Sequence, residues 1–199
     1  MRNDKRFGLA NRLGLLGATL TIAALAGCAS GGHKAASQES AAAQGASEAK
    51  EEHAPAAPSA LDPIKALAGT WECDFEGDGK VDCTAIYRVS ANGHTVTENL
   101  FVGTPHEMVT AFHMDGTAVM ATHYCAAGNQ PRMRDANPGK HSFMFDFVDA
   151  TNLKSPNDSH MHSLKMEIID ADHLTNTWTS FDKGQPAGEA IFKLTRKKS

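Results

Sequence analysis

This sequence holds little of what would mark an enzyme, a nucleic-acid binder or a membrane-spanning protein. It has no HxxxH or CxxC pair, the spacings that most compactly announce a zinc site. Its longest uncharged apolar run, Leu13 to Gly27, is 15 residues, short of the roughly 20 a helix needs to cross about 30 Å of hydrocarbon. Basic residues form no cluster inside the chain; Arg196-Lys197-Lys198 close it as a solvated tail, and the net charge of −4 argues against nucleic acid as a partner. Aromatic residues make up only 7%. From Ala29 to Ala60 there are none, and no branched aliphatic residue either. No set of acid, base and nucleophile assembles, so an enzyme ranks last among the functional classes.

What is present begins with an address. Arg2, Lys5, Arg6 and Arg12 precede the apolar run, the order of a basic n-region and an h-region of a secretion signal. The run ends in Leu25-Ala26-Gly27-Cys28, which resembles the lipobox of bacterial lipoproteins. The resemblance implies cleavage after residue 27, acylation of Cys28 (palmitate among the acyl chains) and attachment to a membrane through more than one chain, as stable anchoring requires. Ala29 is similar to the outer-membrane sorting pattern, which places the protein in the cell envelope, at the outer membrane if the host is Gram-negative. Residues 28–60 are rich in Ala, Ser and Glu and cannot bury enough apolar surface to offset the entropy of ordering, so they are expected to form a disordered tether.

Residues 61–199 carry the fold and a net charge of about −5 by residue count. At about 139 residues they suffice for one domain with a core. After a short helical turn opened by Asp62-Pro63, the periodicity is mostly two, predicting about nine strands: Thr70–Phe75, Cys83–Val89, Thr95–Phe101, Met108–Met114, Thr117–Cys125, Ser142–Phe147, His160–Ile169, Thr175–Phe181 and Gly188–Arg196. Gly77-Asp78-Gly79, Asn92-Gly93, Asp115-Gly116, Asn137-Pro138-Gly139 and Lys183-Gly184 supply the turns. No connection holds a crossover helix, so the sheet is antiparallel. The expectation is an all-β protein, an up-and-down β-barrel of about 8–10 strands, since closure removes exposed edges; a two-sheet sandwich is the alternative.

Leu67-Ala68-Gly69-Thr70-Trp71, a turn delivering Gly-x-Trp into the first strand, resembles the opening of calycin barrels: lipocalins, fatty-acid-binding proteins and nitrobindin-like haem-binding barrels. The resemblance implies that Trp71 plugs the closed end. His113 to Met133 is also similar to a recurrent segment of bacterial calycin-like domains of unknown function.

Candidate site residues lie where polar groups break the alternation. His123 shares a face with Val119, Ala121 and Cys125, while Met120, Thr122 and Tyr124 take the other. The chain then enters Asn129-Gln130-Pro131-Arg132-Met133, a loop where an amide pair and a guanidinium at a barrel mouth can orient a carboxylate or phosphate. His123, Tyr124, Asn129, Gln130 and Arg132 are therefore candidate ligand-binding residues, although the last three equally suit satisfying loop backbone. His160 and His162 fall on one strand face, and with His123 could bind zinc, or one could hold haem as in the nitrobindin-like barrels. Cys73 and Cys83 would oppose each other across the Asp78 turn, in place for a disulfide that an oxidising compartment favours; Cys125 is left as a buried thiol. Two functional classes follow. One is a tethered barrel whose cavity binds an apolar small molecule, a lipid or haem. The other is a structural or interaction lipoprotein whose barrel is filled by its own side chains.

Overall fold

The computed structural model describes residues 58–198. The expected signal segment, Cys28 and nearly all of the tether lie outside them.

The chain enters through α1 (Asp62–Lys65), whose Pro63 stands at the helix start where a missing N–H costs nothing. Ten strands follow: β1 (Gly69–Asp74), β2 (Cys83–Ser90), β3 (Thr95–Leu100), β4 (Met108–Asp115), β5 (Ala118–Tyr124), β6 (Gln130–Asp135), β7 (Ser142–Thr151), β8 (His160–Ile168), β9 (His173–Asp182) and β10 (Gln185–Arg196). Each pairs antiparallel with its neighbours in sequence, and β1 pairs with β10, so the sheet is a closed up-and-down barrel. Closure excludes the two-sheet alternative. The turns behave as their residues dictate. Lys183 and Gly184 both take positive φ, 54° and 72°, between the paired Asp182 and Gln185, the geometry whose twist matches two right-twisted strands.

One strand was hidden in the sequence. β6 occupies Gln130–Asp135, the stretch expected to be loop. Pro131 is tolerated because the β5–β6 ladder ends one residue further on, at Thr122↔Arg132, so the proline owes that ladder no N–H. Pro131, Met133 and Asp135 alternate inward with Arg132 and Arg134.

Odd-numbered residues of β1, β2, β5, β6 and β7 and even-numbered residues of β3, β4, β8, β9 and β10 point inward, and the core is continuous. Trp71, Tyr87, Phe112, Met133, Phe143, Phe145, Leu164 and Met166 are all fully buried. One end of the barrel is shut by α1: Leu61, Ile64 and Leu67 join the same buried cluster as Trp71. The Trp71 indole Nε1 donates to the Leu67 carbonyl at 2.8 Å, and the Arg196 guanidinium lies over the ring, 4.3 Å from its centroid. Arg196 also donates to the carbonyls of Ala66, Ala68 and Ala171, stitching the last strand to the helix and to the β8–β9 turn. At the opposite end Cys73 and Cys83 face each other in the β1–β2 ladder, with Cα atoms 5.1 Å apart, and form a disulfide. Cys125 is free and half-buried.

Candidate functional site

The register of four strands sets a polar row inside an otherwise apolar barrel. Tyr87 on β2 stands opposite Glu98 on β3, Glu98 opposite Thr110 on β4, and Thr110 opposite His123 on β5. All four are buried, and each occupies an inward slot that its strand neighbours fill with apolar residues: Val96 and Leu100 flank Glu98, and Ala121 precedes His123. Asn176 and Trp178 on β9 reach the same row from across the interior.

Hydrogen bonds tie the members together. The Tyr87 hydroxyl donates to Glu98 Oε1 at 2.6 Å. The Asn176 amide nitrogen donates to that same oxygen at 3.0 Å and to the Tyr87 hydroxyl at 3.0 Å. Thr110 Oγ1 and His123 Nδ1 are 3.0 Å apart, and the His123 ring packs on Trp178 with centroids 4.6 Å apart. What is left over matters more. Among the described residues Glu98 Oε2, His123 Nε2, Asn176 Oδ1 and Trp178 Nε1 are buried without a hydrogen-bond partner. A buried unsatisfied polar atom costs about 1–3 kcal/mol, and native proteins hold few of them; four in one cluster are exceptional.

Burial dominates the electrostatics. It pushes the Glu98 carboxyl above its ordinary value, against the opposing pull of hydrogen bonding from Tyr87 and Asn176. It raises the Tyr87 phenol well above its ordinary value, with the Glu98 carboxyl adding to the effect. It lowers His123 to about 4, so the imidazole is neutral near pH 7.

A second group gathers at the barrel end carrying the β5–β6 and β7–β8 loops. His160 Nδ1 lies 2.7 Å from the Asp158 carbonyl. A carbonyl can only accept, so Nδ1 carries a proton, while His160 Nε2 lies 3.0 Å from His162 Nδ1. The His162 ring is clasped between Phe147 and Phe181, with centroids 4.6 and 3.6 Å away and planes within 16°. Register shifts fall here on β7, β8 and β10, and His162 is the extra residue of the β8 bulge; bulges concentrate at barrel rims, where they re-aim side chains. Asn129 ties this end together, its Nδ2 donating to the Ser159 carbonyl at 2.9 Å.

The structure thus divides the residues expected to act together. His123 is interior, and Asn129 is buried at the mouth with Oδ1 unpartnered. Tyr124 is 52% exposed, on the outward phase of β5. Arg132 and Gln130 are on the outer side, Arg132 paired with Asp149 across the β6–β7 ladder and Gln130 bonded to Thr151 and the Gly128 carbonyl. They do not join His123. Their misplacement follows from the unread strand: once β6 is a strand, Arg132 alternates outward between Pro131 and Met133. His160 and His162 do meet, but His123 bonds Thr110 instead, and among the described residues no three His, Cys, Asp or Glu side chains converge as a metal site. The His162 ring has a phenylalanine on each face and its Nδ1 is engaged with His160.

Two grooves stand out on the surface. One of about 340 Å³ is lined by Arg134, Asn137, Met144 and Asp146. The other, of about 580 Å³, is lined by Glu72, Lys80, Ile169 and Lys193 among others. Neither touches the polar row.

Fold and site together define a closed ten-stranded antiparallel barrel with a hydrogen-bonding cluster at its centre. No protein-family model matches this chain, and none of the curated proteins is similar to it in sequence.

Proposed function

We propose that this chain is a lipid-anchored, calycin-like binding protein of the bacterial envelope, and that its barrel interior holds a small molecule at the cluster of Glu98, His123, Asn176 and Trp178. The observation that carries the ligand is four buried polar atoms without a hydrogen-bond partner, all on residues of the bonded and ring-packed group around Glu98 and His123; a bound molecule that hydrogen-bonds them removes a cost of several kcal/mol. The anchor is supported by the run of basic residues, apolar residues and Cys28, and residues 28–60 serve as its tether. The bound molecule is compact, because the surrounding Phe112, Phe145, Leu164 and Met133 already fill the barrel.

Native mass spectrometry of the full-length chain, purified from a bacterial host, tests both parts. The polypeptide should carry a diacylglyceryl and acyl mass on Cys28, abolished together with membrane association in Cys28→Ser. It should also carry a small-molecule mass that is lost in His123→Ala. Trp178→Phe, which removes one N–H and keeps an aromatic ring, should weaken retention without unfolding the barrel. A lipidated chain that never carries or takes up a small molecule favours the second reading, a barrel filled by its own side chains. That reading has its own support in the buried Phe112, Met133, Phe145 and Leu164 that occupy the interior.

A further inference from the structure

The charge inventory of the barrel interior restricts what can bind there. Among the described residues the buried polar and charged side chains are Glu98, Thr110, His123, Asn129, Asp135, His160 and Asn176, with no lysine or arginine. Asp135 is consumed by the backbone N–H groups of Asn137 and Met144, Asn129 and His160 belong to the mouth, and His123 is neutral. The central cluster therefore contains one acid, Glu98, and no positive charge. A fatty-acid carboxylate, a phosphate or any other anion would meet a carboxyl with nothing to offset it, in a medium of low dielectric.

The unpartnered atoms say what would fit. Glu98 Oε2 and Asn176 Oδ1 are acceptors. In the tautomer with the proton on His123 Nδ1, Thr110 Oγ1 accepts it, and His123 Nε2 is a third bare lone pair. Three acceptors, one acidic group lacking a counter-charge, and the aromatic rings of Tyr87, His123 and Trp178 around them match a single chemistry. We propose that the interior site recognises a protonated primary amine, whose three N–H bonds reach Glu98, His123 and Asn176 and whose charge offsets the Glu98 carboxylate. Trp178 Nε1 remains as a donor to an oxygen elsewhere on the ligand. The inference rests on the reading of the barrel as a binding protein and adds the class of ligand.

Burial disfavours the charged form of Glu98, and a bound ammonium, by favouring the carboxylate, opposes that shift.

The discriminating experiment titrates the full-length chain with three compounds of one shape: n-butylammonium, n-butanol and butyrate. Butylammonium should bind while butyrate does not, and butanol should bind at least tenfold more weakly, the difference between a charge-assisted and a neutral hydrogen bond. Glu98→Gln, which keeps the shape and removes the charge, should cost butylammonium roughly tenfold to a hundredfold in affinity. Arg132→Ala, on the outer face, should change nothing. Butanol or butyrate binding as tightly as the amine would overturn the amine assignment and leave the interior site standing. Zinc chloride binding in place of the amine, with loss in His123→Ala, would overturn it in favour of a metal centre. If none of the four probes binds, both the amine assignment and the small-molecule reading fall.

Discussion

Trp71→Ala should remove about 3–5 kcal/mol of stability, a large share of the roughly 5–15 kcal/mol a folded domain holds, and lower the denaturant midpoint accordingly. The ring is fully buried, meets the edge of Tyr87 at 6.2 Å between centroids, and is covered by the Arg196 guanidinium. The cost exceeds the lost apolar area. Without the indole the Leu67 carbonyl loses its donor and Arg196 loses the ring beneath it, so helix and last strand loosen together. Trp71→Phe keeps most of the area and sacrifices the N–H bond alone, so it should fall between the alanine variant and the wild type. A Trp71→Ala midpoint within 1 kcal/mol of wild type would show that the ring does not seal the barrel.

Acid should unfold the barrel through His123. The unfolded imidazole titrates near 6.5, and the folded one near 4. Its folded value is depressed, so the unfolded state binds the proton more readily. The stability that His123 contributes is complete above pH 6.5 and declines as pH falls toward 4. The full difference is about 3 kcal/mol. Glu98 works in the opposite sense. Its folded value is raised, so stability from its protonated form is present at low pH and is lost as pH rises through that raised value. Comparison with His123→Gln isolates the histidine: denaturation midpoints of wild type and variant, measured from pH 7 to pH 4, should diverge in slope, the variant losing much less. Parallel curves would mean that His123 is already solvated in the folded barrel.

How far the sequence could be read depended on whether a residue's neighbours agreed with it. Strands such as Thr95–Leu100, with Val96 and Leu100 in phase and a turn at either end, were legible because every local signal pointed the same way. β6 was not, because the turn formers Asn129 and Pro131 stand just before and just inside its start, and only pairing on both sides with β5 and β7 makes it a strand. The site divided along the same line. His123 was found because it follows Val119 and Ala121 on one face. Its partners were present in the same form: Glu98 between Val96 and Leu100, and Asn176 between Leu174 and Trp178, are polar residues in a buried phase. A polar side chain in an apolar phase was the available signal, and it outranked the abundance of histidine. What the sequence could not show is that β2 to β5 align these slots into one row, since register depends on turn geometry and on pairing.

The seam of the barrel joins Trp71 near the start of the first strand to Arg196 at the end of the last. A chain lacking β10 presents nine strands with two open edges, on β1 and β9, and cannot close. The twelve residues of β10, Gln185–Arg196, cover both. Until they dock, the exposed edges are templates for pairing with other chains. Truncating β10 back from Arg196 removes its pairing with Trp71 first and reopens the seam.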